Sequence, residues 1–196
     1  MERWFPLETA RLRLREIAAS DIPAIHEYAG DIEVVRYMRW GPNDLATTIE
    51  VARDWLEEQQ RWPRDSVQLA IEPVGESKVA GAIHLWLSDP RNATGSLGFV
   101  LNRAYWGRGY ATEAARAVMD CAFRYAGLHR LCATCDTRNI ASFRVLEKLG
   151  MRREAEHRKD VLQKNQWRDS YVYAILREEW ESRRRAKTRE LRDWIQ

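Results

Sequence analysis

Cysteine is scarce in this chain: Cys121, Cys132 and Cys135 are the three among 196 residues. So few, and odd in number, they cannot make a disulfide framework. All three lie in apolar surroundings, as the reduced thiols of a cytoplasmic protein do. Cys132 and Cys135 have C-x-x-C spacing, but positions three apart on a strand point to opposite faces, so a shared metal or a local disulfide is awkward. Long apolar runs are missing as well. No stretch approaches the ~20 residues of a membrane span, and no basic segment followed by an apolar core opens the chain, so no secretory signal is expected. The four histidines (His26, His84, His129, His157) show no ligand cluster with the cysteines, and no metal is expected. Nor is there a large excess of one charge, with 32 Lys+Arg against 29 Asp+Glu and a net charge of +3.

The small positive excess sits at the end of the chain. From Glu181 onward, Arg183, Arg184, Arg185, Lys187, Arg189 and Arg192 face Glu181, Glu190 and Asp193, which leaves the body near neutral. Arg183-Arg184-Arg185 could touch nucleic acid or a ribosome. The aromatic residues that accompany RNA binding are absent there apart from Trp194. The preferred reading is a solvated helical tail, anchored by Leu191, Trp194 and Ile195 at helical spacing, and direct nucleic-acid binding is not expected. The chain divides into one domain over residues 1–180 and a basic tail over 181–196.

Apolar content of 45% and a length of 196 residues suit one soluble domain with a sizeable core. The pattern is α+β or α/β without repeats. Arg11 to Ile17 alternates as a strand. Ser20-Asp21-Ile22-Pro23 starts a helix, and Asp44 to Gln60 is a second, amphipathic one. Strands are expected at Ser66–Glu72, Lys78–Leu87, Ser96–Leu101 and Leu131–Asp136. Two more, near Met151–Leu162 and Arg168–Leu176, read as a hairpin around Gln163-Lys164-Asn165-Gln166-Trp167.

Two junctions carry chemistry. The strand Gly95–Leu101 runs through Asn102-Arg103-Ala104-Tyr105-Trp106-Gly107-Arg108-Gly109 into an alanine-rich helix from Thr112 to Phe123. A glycine turn that opens a helix presents backbone N–H groups with no helical acceptor, at the positive end of the dipole. That is an anion site suited to a pyrophosphate, and Gly107 and Gly109 tolerate positive φ. Alone, the turn is equally a tight loop without a ligand. At the second junction, Asp136 leads to Asn139, a natural N-cap, and Gly150 is a natural stop. Ser142, three residues past the cap, points from the helix start toward the strand ends.

Together, Trp106-Gly107-Arg108-Gly109-Tyr110-Ala111-Thr112-Glu113-Ala114 and the N-x-x-S-x-x-V-L-E-K-L-G-M run from Asn139 to Met151 resemble the GNAT superfamily of acetyl-CoA-dependent N-acetyltransferases. The chain is similar in particular to the RimJ/RimL-type branch that acetylates ribosomal-protein N-termini. The resemblance extends from Leu7–Arg15 to Trp167–Trp180. It implies a single domain with a mixed, mostly antiparallel sheet of about seven strands, splayed in the middle, flanked by about four helices and the tail. It implies acetyl-CoA as cosubstrate and no metal. The amides around Arg108, Gly109, Tyr110, Ala111 and Thr112 would hold the pyrophosphate. The Phe99-Val100-Leu101 edge would bind the pantetheine arm like an added strand, and an amide there would polarise the thioester. Asn139 would bond the arm or a water, and otherwise caps its helix.

The chain departs from the family twice. Leu146 stands where many members carry a tyrosine that protonates the leaving thiolate, and Ser142 is the expected substitute. Ser96 stands where many carry a glutamate that deprotonates the amine. The remaining bases are His84, Asp136, Glu154, Glu156 and His157; an imidazole titrating near neutrality makes His84 the leading one. Glu113 reads as structural, Tyr105 and Trp106 as packing residues, and Arg103 and Arg108 as solvent-facing side chains. Tyr28, Tyr37, Met38, Trp40, Trp55 and Trp62 either wall an acceptor pocket or belong to the core. The acceptor is expected to be a protein N-terminal α-amine, with a small amine (amino acid, polyamine or antibiotic) as the alternative. A non-catalytic acetyl-CoA sensor is the third possibility. A homodimer is common in this branch, and the nine tryptophans could help form its interface.

Overall fold

The computed structural model describes residues 5–193, with side chains as far as Ala186. The anchor expected of Leu191, Trp194 and Ile195 therefore lies outside the described side chains. Eight strands form one sheet: β1 (Leu7–Glu8), β2 (Leu12–Glu16), β3 (Ser66–Pro73), β4 (Gly81–Asp89), β5 (Thr94–Leu101), β6 (Arg130–Asp136), β7 (Arg152–Gln163) and β8 (Gln166–Leu176). Their spatial order is β1-β2-β3-β4-β5-β6-β8-β7, antiparallel throughout except for the parallel pair β5–β6. The eighth strand, beyond the seven expected, is the two-residue β1, too short to show an alternating pattern.

Helices cover both faces. On one side lie α1 (Ile22–Ala29) and α2 (Leu45–Glu58), with Ile25, Tyr28 and Ala29 packed against Ala70 and Ala82. On the other, α3 (Tyr110–Arg124) and α4 (Ile140–Lys148) bury Ala115, Val118, Met119, Phe123 and Leu146 against Leu69, Ile83, Leu97 and Leu131. The alternation of β4 explains the division: Ile83 and Leu85 serve the second core, while Ala82 faces α1. The last helix, α5 (Arg177–Asp193), runs without interruption across position 180. It is held by Trp180, which stacks on Phe123 at 5.3 Å and donates from Nε1 to Asp120 at 2.6 Å. Among the described residues, no helix is long and apolar enough to cross a membrane.

The caps follow the sequence with one exception. Asp44 accepts from the Thr47 amide at 2.8 Å, and Asn139 accepts from the Ser142 amide at 3.1 Å. Asp21 stands at the N-terminus of α1 yet caps nothing. Its carboxylate is taken by both Arg15 terminal nitrogens and the Ala18 amide. A charge-assisted bidentate pair outweighs a cap bond to a neutral amide.

The parallel pairing of β5 and β6 positions the site. It extends over Thr94–Arg130, Gly95–Leu131 and Ser96–Cys132 and then stops, while β5 stays paired to β4 as far as Leu101. The sheet therefore opens beyond Ser96, and the facing edges of both strands are left without strand partners.

Candidate active site

Strand alternation decides which backbone groups face the opening. The Asn102 amide donates to the Ala80 carbonyl at 2.8 Å. Even-numbered β5 residues therefore turn their amides to β4, and Leu97, Phe99 and Leu101 turn theirs to the gap. The Leu101 carbonyl is taken by the Trp106 indole at 2.9 Å. By the same parity, with Arg177 donating to the His129 carbonyl, Thr134 presents its backbone to the gap from β6.

Two cavities meet there. A groove of about 460 Å³ runs along Phe99, Val100 and Leu101 to Gly109, Tyr110, Ala111 and Thr112, with Asn139, Ser142 and Lys148 on its other bank. A deeper cavity of about 240 Å³ adjoins it and is lined by Tyr37, Met38, Trp40, Trp55, Gln68, His84, Thr134, Asp136, Asn139 and Ser142. Phe99, Val100, Tyr37, Met38, Asn139 and Ser142 belong to both.

The glycine turn has the predicted form. Gly107 and Gly109 adopt φ of +75° and +80°, and Gly109 precedes α3 with no side chain capping the helix. The first helical bond is from the Glu113 amide to the Gly109 carbonyl at 3.1 Å, so the amides of Tyr110, Ala111 and Thr112 have no helical acceptor. A cradle of amides at a helix start, continuous with a long groove, fits a pyrophosphate with an extended arm. Arg108 does not line it. Its guanidinium stacks 5.2 Å from the Tyr105 ring, and its carbonyl accepts from Arg11. Arg103 is exposed and lies 3.6 Å from Asp31. Glu113 ties the β1–β2 connection to α3, accepting from Thr9 and from the Arg11 amide and guanidinium. Those bonds hold its carboxyl below the usual range despite opposing burial. Tyr105 is buried and donates to Glu76 at 2.7 Å, whereas Trp106 is half exposed on the groove.

The bases sort themselves by position. His84 lies on the cavity wall, directly opposite Gln68 on β3. Burial pushes its pKa below the ordinary value, against partial opposition from Glu58, and so favours the neutral imidazole. Asp136 also lines the cavity, but Arg138 binds both its oxygens, at 2.9 and 2.7 Å. Glu154 is paired with Arg130, Glu156 is exposed on β7, and His157 lies 3.6 Å from Asp160. None of these three lines either cavity. Ser96 is the last paired residue before the opening and lines neither cavity.

Asn139 commits its side-chain oxygen to capping α4, which leaves its amide NH₂ for a ligand. The cap also fixes Ser142, whose hydroxyl neighbours the Cys135 thiol. Burial is the main reason that thiol is pushed up to about 11, so it stays protonated and unreactive. The cysteines are free, as expected. Leu146 is a core residue. Of the aromatic residues named from the sequence, Tyr28 is buried in the core and also reaches the deep cavity, Trp62 is exposed, and Tyr37, Trp40 and Trp55 are cavity wall. Gln68 and Thr134 carried no sequence signal of their own; only their register beside His84 and the open edge reveals them.

Comparison with known proteins agrees with this geometry. Residues 11–152 match the model of the acetyltransferase (GNAT) domain. The chain is 35% identical over 174 residues to the uncharacterized N-acetyltransferase YnaD of Bacillus subtilis, covering 89% of this chain and 98% of that one. A GNAT-family acetyltransferase of Bacillus anthracis superposes with a TM-score of 0.79 at 34% identity, over 88% of this chain and 99% of its own. RimL, a ribosomal L7/L12 alpha-N-protein acetyltransferase solved with coenzyme A, shares the fold at a TM-score of 0.77 and 19% identity, over 87% and 97% of the two chains. Fold, groove and sequence agree: the chain belongs to the GNAT family of N-acetyltransferases.

Proposed function

We propose that this N-acetyltransferase moves the acetyl group of acetyl-CoA directly onto the N-terminal α-amine of a peptide or protein, in the manner of the RimJ/RimL branch. One observation carries the reading: an imidazole and a hydroxyl, His84 and Ser142, share a cavity that opens onto the cradle-ended groove. Acetyl-CoA supplies an activated acyl group on a sulfur that leaves readily. The amides of Gly109 to Thr112 hold the pyrophosphate. The Phe99–Leu101 edge bonds the pantetheine arm and turns an amide toward the oxygen on which negative charge develops. His84 takes the proton from the attacking nitrogen, directly or through a water. Ser142, fixed by Asn139, donates to the departing sulfur. Placement of two reactants side by side turns a bimolecular encounter into a near-unimolecular one.

The walls support an α-amine over a polyamine. Among the described lining residues of the deep cavity, the one carboxylate is Asp136, and Arg138 already neutralises it. A second ammonium would enter without a partner, at high desolvation cost. A peptide chain brings neutral amides, for which the Thr134 backbone and the exposed Gly98 surface leave room. Thiol release from acetyl-CoA, measured against peptides with different first residues and a set of small amines, tests this. Turnover with peptides of one N-terminal type is expected. Turnover with small amines alone transfers the assignment to that class, and tight acetyl-CoA binding without turnover on any amine overturns catalysis.

A further inference from the structure

The turn between β7 and β8 reaches across to the loop joining α1 and α2. That loop, residues 30–44, contains no helix or strand, yet it contributes Tyr37, Met38 and Trp40 to the deep cavity. The loop is held in part by its own turns, with the Val35 amide on the Asp31 carbonyl at 3.1 Å and the Met38 amide on the Val35 carbonyl at 2.9 Å, and by burial of Val34 and Val35. The rest of its order comes from what touches it. Two side chains of the turn bond its backbone. Gln163 Nε2 donates to the Arg36 carbonyl at 3.2 Å, and Lys164 Nζ donates to the Val35 carbonyl at 2.7 Å.

The local structure aims both groups. Lys164 and Asn165 have φ of +49° and +60°, and Gln163 faces Gln166 across them. This is a two-residue turn with both central residues left-handed, tighter than the five-residue connection expected from the sequence. It places consecutive side chains on the same neighbouring loop. Gln163 is 4% exposed, so its amide depends on this partner. Lys164 is exposed overall, and partial desolvation, followed by the nearby Arg168, pushes its ammonium below its ordinary pKa.

We propose that Gln163 and Lys164 are positioning residues that latch the α1–α2 loop and so fix the aromatic wall against which the acceptor amine is held. The proposal rests on the deep cavity being the amine site. Neither residue touches the reacting atoms; they act through Tyr37, Met38 and Trp40.

Three variants test it: Gln163→Leu and Lys164→Met, which keep most of the apolar stem and lose the donor, and Lys164→Arg, which keeps a cationic donor. Hydrogen exchange at the amides of residues 35–40, measured without substrates, reads the latch alone. Steady-state kinetics then read its consequence. In Q163L and K164M, loop exchange and the KM for the amine are each expected to rise about tenfold, the effect of one lost hydrogen bond to a buried group. The KM for acetyl-CoA is expected to rise less than that for the amine, because Trp40 lines the deep cavity alone while Tyr37 and Met38 line both spaces, and K164R is expected to behave as wild type. Unchanged exchange in both donor-less variants overturns the latch. Faster exchange with an unchanged amine KM overturns the wall as the acceptor site, and an equal rise in both KM values assigns the loop to the acetyl-CoA groove instead. A wild-type enzyme silent on every amine defeats the reading of the cavity, while the exchange measurement still decides the latch.

Discussion

At the residue scale, His84 makes the sharpest claim. Its burial disfavours the imidazolium, so its folded pKa lies below its unfolded one. The acidic limb of kcat/KM is therefore expected below the ordinary histidine value of about 6.5. Stability carries the same sign. As pH falls from the unfolded pKa toward the folded one, the unfolded chain binds the proton first, and folding weakens. His84→Gln is expected to lower kcat by about a hundredfold and remove that limb; a limb that persists in the variant takes the base role away from His84. Ser142 is a weaker acid by nature. Ser142→Ala is expected to reduce kcat by about tenfold with the acetyl-CoA Kd little changed, as calorimetry would report. Equal turnover would remove Ser142 from the mechanism. Asn139 has two duties, since one end of its amide caps α4 and the other faces the groove.

At the element scale, the start of α3 matters most. A helix that begins on a left-handed glycine with no capping side chain keeps its amides for a ligand. Gly109→Leu forces φ near +80° on a residue with a Cβ, a strain of about 1–2 kcal/mol in the turn that shapes the cradle, and brings the new Cβ to 3.4 Å from the Arg11 guanidinium that holds the turn. The expected result is loss of measurable acetyl-CoA binding by calorimetry, with a melting transition that remains cooperative. Retained affinity would move the pyrophosphate elsewhere. The elements themselves were legible in the sequence wherever periodicity ran long, as in α2, α3 and β4. The sequence suggests a looser β7–β8 turn than the fold contains, because Lys-Asn is a weaker signal for a two-residue turn than Asn-Gly. The sequence offers Asp21 as a cap for α1 because it does not show that Arg15, on β2, claims that carboxylate.

At the scale of the whole molecule, the sheet is a frame that holds two strands apart. The close approach of β4 and β5 opposite the gap depends on Gly81, where a Cβ would lie 2.2 Å from the Val100 carbonyl oxygen. Gly81→Ala is expected to destabilise the fold by about 3 kcal/mol, read as a lower denaturant midpoint. Acetyl-CoA binding should weaken as well, because the displaced strand carries both Phe99 and His84's neighbours. A variant as stable as wild type would show that the pair can separate without cost.

The sequence by itself determined the kind of protein. The glycine turn, the Asn139 cap with Ser142 three residues on, and the alternating strands are local patterns, set by backbone sterics and by the amides a helix start leaves over. Those patterns sufficed for the strands, helices and glycine turn, and the resemblance carried by the two motifs sufficed for the family. Tertiary structure alone decided how the site is furnished. Whether Asp136 is a base or half of an ion pair, whether Tyr37 and Trp40 are core or wall, and which strand edges stay open all depend on contacts between distant segments. The physical reason is that burial, pairing and solvent access are properties of neighbours in space, and a one-dimensional pattern fixes neighbours only along the chain.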